Sequence, residues 1–273
     1  AQSALKHLEK AFELDENDSR VFLELDQLYK KMGTDFEKRL KKYEMHKETV
    51  ELRDDVMLEY VTLYNMTGQY QKAYDTIMSH KFRPWEGAEG RISGQYKIAL
   101  VQLAKQAIMQ KEYENALELL KKSLEYPLNL GEGRLEGTKD NNIHYYLGNV
   151  YTALGDNDMS DKEYSLATLG VDEPAGAMYY YDQQADMIMY KGLAYRALGD
   201  EQSACRCFNK LMDYGERHLY DDVKNDFFAV SLPDFMVFED DMNIRNKAHC
   251  YYLMGLSKLG AGEYAAAEEN FEQ

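Results

Sequence analysis

Two loops of the sequence carry carboxylates at short spacing, Glu86 with Glu89 and Glu132 with Glu136. Two carboxyl groups held at a fixed separation are the acid and base of a glycosidase, so these pairs are the side chains whose types could do chemistry. The chain has 48 Asp and Glu among 273 residues, however, and at that frequency such pairs arise by chance. We therefore expect no catalytic site among them.

Other motifs of enzymes and metal proteins are absent from the sequence, which has no GxGxxG, P-loop, nucleophile elbow, HExxH or paired CxxC. Cys205 and Cys207 lie two positions apart on a predicted helix, about 200° around its axis, so they cannot readily bind one metal together. His80 and His144 stand closest to the loops and are expected to pack at interfaces. We predict a non-catalytic protein without cofactor or metal. Three cysteines, an odd and sparse set, favour a reducing compartment such as the cytoplasm.

The only tryptophan lies in a loop that has a second copy in the sequence. PWEGAEGRISG, residues 84–94, aligns with PLNLGEGRLEG, residues 127–137, through shared Pro, Glu, Gly, Arg and aliphatic residues. One interpretation is a structural adaptor, in which the aliphatic residue fills an interface between repeats and Arg pairs with Glu across adjacent loops. The other is a polar ledge beside the tryptophan that binds a sugar ring or a peptide. The predicted residues of this loop edge are Trp85, Glu86, Glu89, Arg91, Glu132 and Arg134.

Composition limits both the fold and the partners. Four prolines and a hydrophobic content of 45% indicate a helical chain with enough apolar residues for a continuous core. The formal net charge of −16 repels phosphate backbones and anionic lipid headgroups, so we expect neither nucleic acid nor a membrane surface as partner. No apolar run of about 18 residues is present that could span a bilayer.

Small and aromatic residues recur in a fixed order along the chain. The stretch YYLGNVYTALGDNDMSDKEYSLA shows the order in full, at Leu147, Gly148, Tyr151, Gly155, Tyr164 and Ala167. Four other stretches repeat it: Tyr64, Gly68, Tyr70, Ala73 and Ile77; Leu103, Ala104, Tyr113, Ala116 and Leu120; Gly192, Tyr195, Gly199, Ala204 and Phe208; Gly255, Gly262, Tyr264, Ala267 and Phe271. A generic helical bundle would not keep these residues in register five times.

This order resembles the tetratricopeptide repeat, a helix-turn-helix of about 34 residues. The resemblance implies an all-α fold, a right-handed superhelical solenoid of tetratricopeptide-like helix-turn-helix repeats with loop insertions between them. We predict one domain over 1–273, with repeats at 1–18 (partial), 19–53 (degenerate), 54–87, 97–130, 141–174, 185–218 and 248–273 (partial). Because the pattern starts and stops inside second helices, we expect a piece of a longer protein.

The repeats are spaced more widely than in the family pattern. Their first positions at Asp54, Lys97, Asn141, Ala185 and Ala248 give offsets of 43, 44, 44 and 63. The extra residues fall after each second helix, so these loops are expected along one edge of the solenoid. The longest insertion, 219–247, has an apolar centre from Phe227 to Phe238. It is expected to fold back on the solenoid or to dock against another domain.

Tetratricopeptide arrays bind peptides in a concave groove lined by first helices, and the resemblance implies the same surface here. The polar and aromatic residues read at groove positions are Asn65, Lys105, Tyr145, Asn149, Arg196 and Tyr252. The Lys/Asn/Arg set with which chaperone-binding members clamp a terminal carboxylate is absent. A mixed apolar and tyrosine groove suits an extended or helical peptide.

The Pro-Trp-Glu-Gly loop, its Glu-Gly-Arg twin and the FAVSLPDF insertion resemble the C-terminal half of large bacterial proteins. In that family the N-terminal half resembles β-rich domains of carbohydrate-active enzymes, and the association with sugars comes from this resemblance alone. We predict an interaction scaffold whose partner is a protein, a peptide or another domain of the same parent chain. The alternative is a carbohydrate-recognising or enzyme-supporting module that uses the Trp85 loop edge.

Overall fold

The computed structural model describes residues 2–83, 85, 88–175, 183–223 and 241–273. In these ranges the chain forms fourteen α-helices, one short 3₁₀ turn at Leu128–Leu130 and no strand, which confirms the all-α class. None of the described helices is both long and apolar enough to cross a membrane. Glu86, the tyrosines at 179–181 and the apolar centre of the long insertion, 227–238, lie outside the described residues.

The chain divides into two compact units. The first comprises Ala1–Gln106 with Glu125–Gly133, and the second comprises Ala107–Leu124 with Arg134–Gln273. The right-handed superhelix and the single domain of 1–273 stay predictions.

Helices α1 to α7 build the first unit, the last of them continuing beyond it. Their bounds are Gln2–Leu14, Ser19–Lys31, Phe36–Met45, Lys47–Val50, Asp54–Met66, Tyr70–Ser79 and Arg91–Met109. Aromatic rings join the first three helices, since Phe22 lies 5.2 Å from Phe12 and 4.9 Å from Tyr43 between ring centroids. Tyr43 also stacks on Tyr60 at 5.6 Å, which extends the core to α5.

Helices α8 to α14 belong to the second unit. Their bounds are Tyr113–Ser123, Asn141–Leu154, Asn157–Ala167, Met187–Ala197, Glu201–His218, Met242–Ala261 and Tyr264–Phe271. Helices α9, α11 and α13 each pack against the helix that follows, as the helix-turn-helix pattern requires. Helix α11 also packs against both α9 and α13, so three consecutive first helices lie side by side.

The two helices of each repeat are joined by the same turn. One residue there has a left-handed backbone, with φ between 61° and 84°, and it is Gly68, Lys111, Gly155, Gly199 or Gly262. The amide of the next residue donates to the carbonyl five residues back, as Asp156 N does to Tyr151 O at 3.0 Å. This is a Schellman C-cap, whose left-handed position suits glycine because glycine has no Cβ. Lys111 is the exception and is strained.

Glycines in the first helices of the second unit allow the second helices to approach closely. A Cβ atom on Gly148 would lie 2.4 Å from the ring of Tyr164, and one on Gly255 would lie 2.3 Å from the ring of Phe271. Gly192 meets Phe208 in the same way, at 2.5 Å. Each ring follows its glycine by the same interval. In these three repeats the aromatic ring of the second helix packs on the glycine of its own first helix.

The repeat predicted as degenerate, 19–53, replaces this packing with a buried ion pair. Asp26 stands where the four later repeats have Ala104, Gly148, Gly192 and Gly255 and the repeat 54–87 has Val61. Its carboxylate accepts hydrogen bonds from Arg39 Nε at 2.8 Å, from Arg39 Nη2 at 2.6 Å and from the Tyr43 hydroxyl at 2.8 Å. Arg39 Nη2 also lies 3.4 Å from Glu59 on α5. The sequence looks degenerate here because charge, rather than close approach, holds the two helices.

Two first helices begin earlier than predicted. Helix α7 starts at Arg91 rather than near Lys97, and α13 starts at Met242 rather than near Ala248. Both starts are capped by a carboxylate, Asp241 for α13 and Glu132 for α7. Part of each predicted loop is thus the first turn of a helix.

Candidate functional site

In the first unit, a side chain of the second loop copy is hydrogen-bonded to the backbone of the first copy. The Glu132 carboxylate accepts hydrogen bonds from the backbone amides of Gly90 and Ser93, each at 2.8 Å. These amides lie at the N-terminus of α7, where the first N–H groups of a helix have no partner within it and where the helix dipole favours negative charge. Glu132 therefore acts as the cap of α7.

The arginine side chains of the two loop copies form ion pairs and hydrogen bonds with other residues of the chain. Arg91 Nη2 lies 3.5 Å from Glu59 in the first unit. In the second unit Arg134 Nη2 lies 2.9 Å from Asp140 and donates to the Thr138 carbonyl at 3.0 Å. One link between the copies thus runs from Glu132 to backbone amides, and the pairing of Arg with Glu across the copies stays a prediction.

The aliphatic residues of the copies differ in burial despite their aligned positions. Ile92 is 3% exposed in the first turn of α7, as expected for a residue that fills an interface. Leu135 is 46% exposed, and there the expectation was wrong. The first copy runs into a helix, whereas the second continues as a non-helical segment after Leu128–Leu130. Similar sequences therefore take different conformations.

Trp85 is half-buried, and its carbonyl accepts a hydrogen bond from Ala88 N at 3.1 Å. Glu89 is also half-buried and has an interaction within the chain. Of the loop-edge residues, Trp85, Glu89, Arg91 and Glu132 belong to the first unit and Arg134 to the second. The loop edge thus exposes part of the Trp85 indole, but most of its polar side chains form contacts within the chain.

The two groove residues of the first unit also have internal partners. Asn65 is buried, and its amide donates to the carbonyl of Gln95 at 3.1 Å and to the side chain of Gln95 at 2.8 Å. This bond joins α5 to α7. Lys105 is half-buried and engaged within the chain.

Tyrosines of the second unit gather on neighbouring first helices. The ring of Tyr145 on α9 lies 5.5 Å from Tyr146 and 6.0 Å from Tyr190 on α11, and Tyr146 lies 5.9 Å from Tyr190. Burial raises the pKa values of Tyr146 and Tyr190 above the usual value for a phenol. Tyr252 on α13 is 43% exposed. We call Tyr145, Tyr146, Tyr190 and Tyr252 the tyrosine face.

Polar side chains fix the orientation of this face. The Tyr164 hydroxyl on α10 donates to Asn149 Oδ1 at 2.7 Å, and the Tyr164 ring lies 6.1 Å from the Tyr145 ring between centroids. Arg196 is used differently, because its guanidinium forms two hydrogen bonds with Glu201, at 2.8 and 2.6 Å, and a third with the Gly260 carbonyl. Arg196 thus links α11 to α12 and α13, and the groove roles of Tyr145, Asn149 and Arg196 stay predictions.

Asp186 is the residue before α11, the helix that carries Tyr190. Its Oδ1 atom is buried and has no hydrogen-bond partner among the described residues. Burial raises the pKa of this carboxyl above its usual value. Burial, and then the nearby Asp186 charge, raise the pKa of Tyr252 to about 12, and Asp186 contributes to the raised pKa of Tyr190.

Sequence reasoning missed Asp186, Tyr146 and Tyr190. Tyr146 and Tyr190 each occupy the sixth position of a repeat, next to the fifth position that was read as groove-lining. The signal that could have found them is this recurrence of tyrosine at one position in consecutive repeats. In the part of the chain that the structure describes, no three His, Cys, Asp or Glu side chains are placed to hold a metal ion.

The recurring Schellman turn and the Gly–aromatic contacts show that the chain repeats one helix-turn-helix unit. No protein-family model matches the chain. A search of solved structures finds the P58(IPK) TPR domain, which aligns over 98% of this chain and 78% of that chain, at 17% identity and a TM-score of 0.32. Likeness at that level carries no functional argument.

Proposed function

We propose that this protein is a non-catalytic interaction scaffold that binds a protein segment on the tyrosine face. The observation that carries the proposal is the mutual contact of three tyrosine rings from two adjacent first helices, beside a partly exposed tyrosine on the third. Tyrosine offers a large contact surface with a polar end, and it loses little conformational entropy when a partner binds.

Preorganisation supports the same role. The rings of Tyr145, Tyr146 and Tyr190 lie 5.5 to 6.0 Å apart between centroids, and Tyr145 also packs against Tyr164 at 6.1 Å. Side chains that are already ordered add little cost on binding, so more of the contact energy appears as affinity. The helices beneath are packed in pairs, which makes the face a rigid surface.

The partner is a peptide, a separate protein or another domain of the same parent chain. The resemblance to the C-terminal half of large bacterial proteins favours the last of these as a cellular context. The carbohydrate alternative at the Trp85 loop edge has less support, because Arg91 and Glu132, which would bind sugar hydroxyls, have partners within the chain.

A random-peptide display library selected against the whole 273-residue chain tests the proposal. We expect the enriched peptides to bind Tyr252→Ala about tenfold more weakly than wild type, the change that roughly 1.4 kcal/mol gives. Tyr220→Ala is the matched control, because Tyr220 is 82% exposed and lies outside the tyrosine face. Peptides that bind both variants as they bind wild type, or a library without enrichment, would refute the tyrosine face as the binding surface.

A further inference from the structure

In the second unit, the first helix of one repeat covers an aromatic ring on the second helix of the repeat before it. Tyr164 of α10 is buried and lies in one core cluster with Ala194 of α11. Phe208 of α12 is also buried, and a Cβ atom on Gly260 of α13 would lie 2.3 Å from its ring. At both interfaces a small residue of the covering helix therefore meets the ring.

Phe271 has the same place in its repeat, but its ring is partly exposed. It packs on Gly255 of its own repeat as Tyr164 packs on Gly148, yet it is 46% exposed. Tyr264 lies about two helical turns earlier on α14 and is 71% exposed. Positions two turns apart lie on one side of a helix. We call Tyr264 and Phe271 the α14 face.

Charge distinguishes the covering helices from the α14 face. The charged residues of α11 and α13 are all basic, since neither helix contains Asp or Glu. Helix α14 and its C-cap carry three exposed carboxylates, Glu268, Glu269 and Glu272. Two copies of this chain packed through α14 would bring these like charges together, whereas a basic helix would be attracted to them.

We infer that the α14 face binds a basic amphipathic helix of a partner protein, and that this helix presents a glycine or alanine to Phe271. The interface continues the arrangement that α11 forms on α10 and that α13 forms on α12. Burial of the two exposed rings drives the association, and the carboxylates of α14 select a basic partner. The inference goes beyond the proposed function, because the α14 face shares no residue with the tyrosine face.

The probe is a fluorescein-labelled synthetic peptide with the sequence of α13, Met242–Ala261, which covers Phe208 within the fold. Its binding to the whole 273-residue chain is measured by fluorescence anisotropy in reducing buffer. We expect saturable binding that is about tenfold weaker on Phe271→Ala, which corresponds to roughly 1.4 kcal/mol. A Gly260→Leu form of the peptide should bind wild type about tenfold more weakly, because leucine would meet the ring. Phe36→Ala is the matched control, since Phe36 is 42% exposed on α3 of the first unit, and it should bind as wild type does.

Phe271→Ala also removes the contact of this ring with Gly255, so a second variant keeps that contact. Glu268→Lys reverses an exposed charge of α14 and should weaken binding of the peptide, most strongly at low salt. Glu114→Lys, which makes the same change at an exposed position of α8, should bind as wild type does. Circular dichroism verifies that each variant is folded.

Three results would overturn the inference. The first is a peptide that does not bind wild type. The second is binding that is the same on wild type, Phe271→Ala and Glu268→Lys. The third is a Gly260→Leu peptide that binds as tightly as the original peptide, because the partner helix would then need no small residue at the ring.

Discussion

Arg39 and Asp26 form a buried ion pair between α2 and α3 in which two nitrogens of the guanidinium meet two oxygens of the carboxylate, at 2.8 and 2.6 Å. Their side chains are only 2% and 5% exposed. Charges removed from water in this way stabilise a fold only when both are present with good geometry. The Tyr43 hydroxyl donates a further hydrogen bond to the same carboxylate.

We expect Asp26→Ala to destabilise the first unit by about 3–5 kcal/mol, because it leaves Arg39 buried without its main partner. The double variant Asp26→Leu with Arg39→Met should recover most of that loss, because apolar side chains of similar volume need no pairing. Urea unfolding followed by circular dichroism measures both variants. If the double variant is as unstable as Asp26→Ala, the burial of Arg39 without its partner is not the cause of the loss.

Lys111→Gly should stabilise the turn between α7 and α8 by about 1 kcal/mol, because a side chain in the left-handed region costs roughly 1–2 kcal/mol and glycine avoids most of it. Lys111 is the only described residue other than glycine with positive φ. Gly155→Ala, at the same position of a later repeat, is the control and should change stability in the opposite direction. Differential scanning calorimetry of the two variants is the measurement.

Asp186→Asn should stabilise the fold at neutral pH. The folded-state pKa of Asp186 is raised by burial, so the folded form holds the proton more tightly than the unfolded chain does. Its stabilising contribution is complete below the unfolded pKa, about 3.9, and is lost as pH rises through the raised value. The advantage of Asp186→Asn should therefore appear as pH rises through that window. Urea midpoints across acidic to neutral pH measure it.

The pKa of Asp200 is shifted in the opposite direction to that of Asp186. Hydrogen bonds from Ser203 lower the pKa of Asp200, so its contribution is present above the unfolded pKa and is lost as pH falls through the folded value. Asp200→Asn should therefore lose stability at neutral pH and approach wild type in acid. If Asp186→Asn and Asp200→Asn change the stability in the same direction at neutral pH, burial is not the cause of the Asp186 effect.

Trp85 fluorescence should respond little to soluble glycans. The chain has one tryptophan, so the emission reports on this loop alone, and half-burial predicts partial quenching by acrylamide. The polar residues that would bind sugar hydroxyls have partners within the chain, as Glu132 has on Gly90 and Ser93. An emission shift on glycan titration that persists in the Tyr252→Ala background would instead support carbohydrate recognition at the loop edge.

The repeat architecture was predictable because its signals are local. Gly148 and Tyr164 belong to one helix pair, and the same spacing recurs at Gly192 and Gly255, so pattern alone located these residues, while the contact of each ring with the glycine of its own repeat comes from the structure. The loops were less predictable, since the conformation after Gly90 depends on Glu132, which is 42 residues away.

The candidate site was predicted only in part. Tyr145, Asn149 and Tyr252 were read from groove positions, whereas Tyr190 and Asp186 were not. The burial of Asp186 Oδ1 is a tertiary property, because it depends on packing between helices and no spacing along one helix encodes it.

The cap that Glu132 provides for α7 limits how this part of the chain can evolve. The helix start and its cap lie on opposite sides of a whole helix pair, 42 residues apart at Gly90 and 39 at Ser93. Deletion of that helix pair by recombination would separate the amides from their acceptor. Its duplication would leave two helix N-termini for one carboxylate. Repeats joined in this way are not interchangeable modules, and their order is inherited as a block.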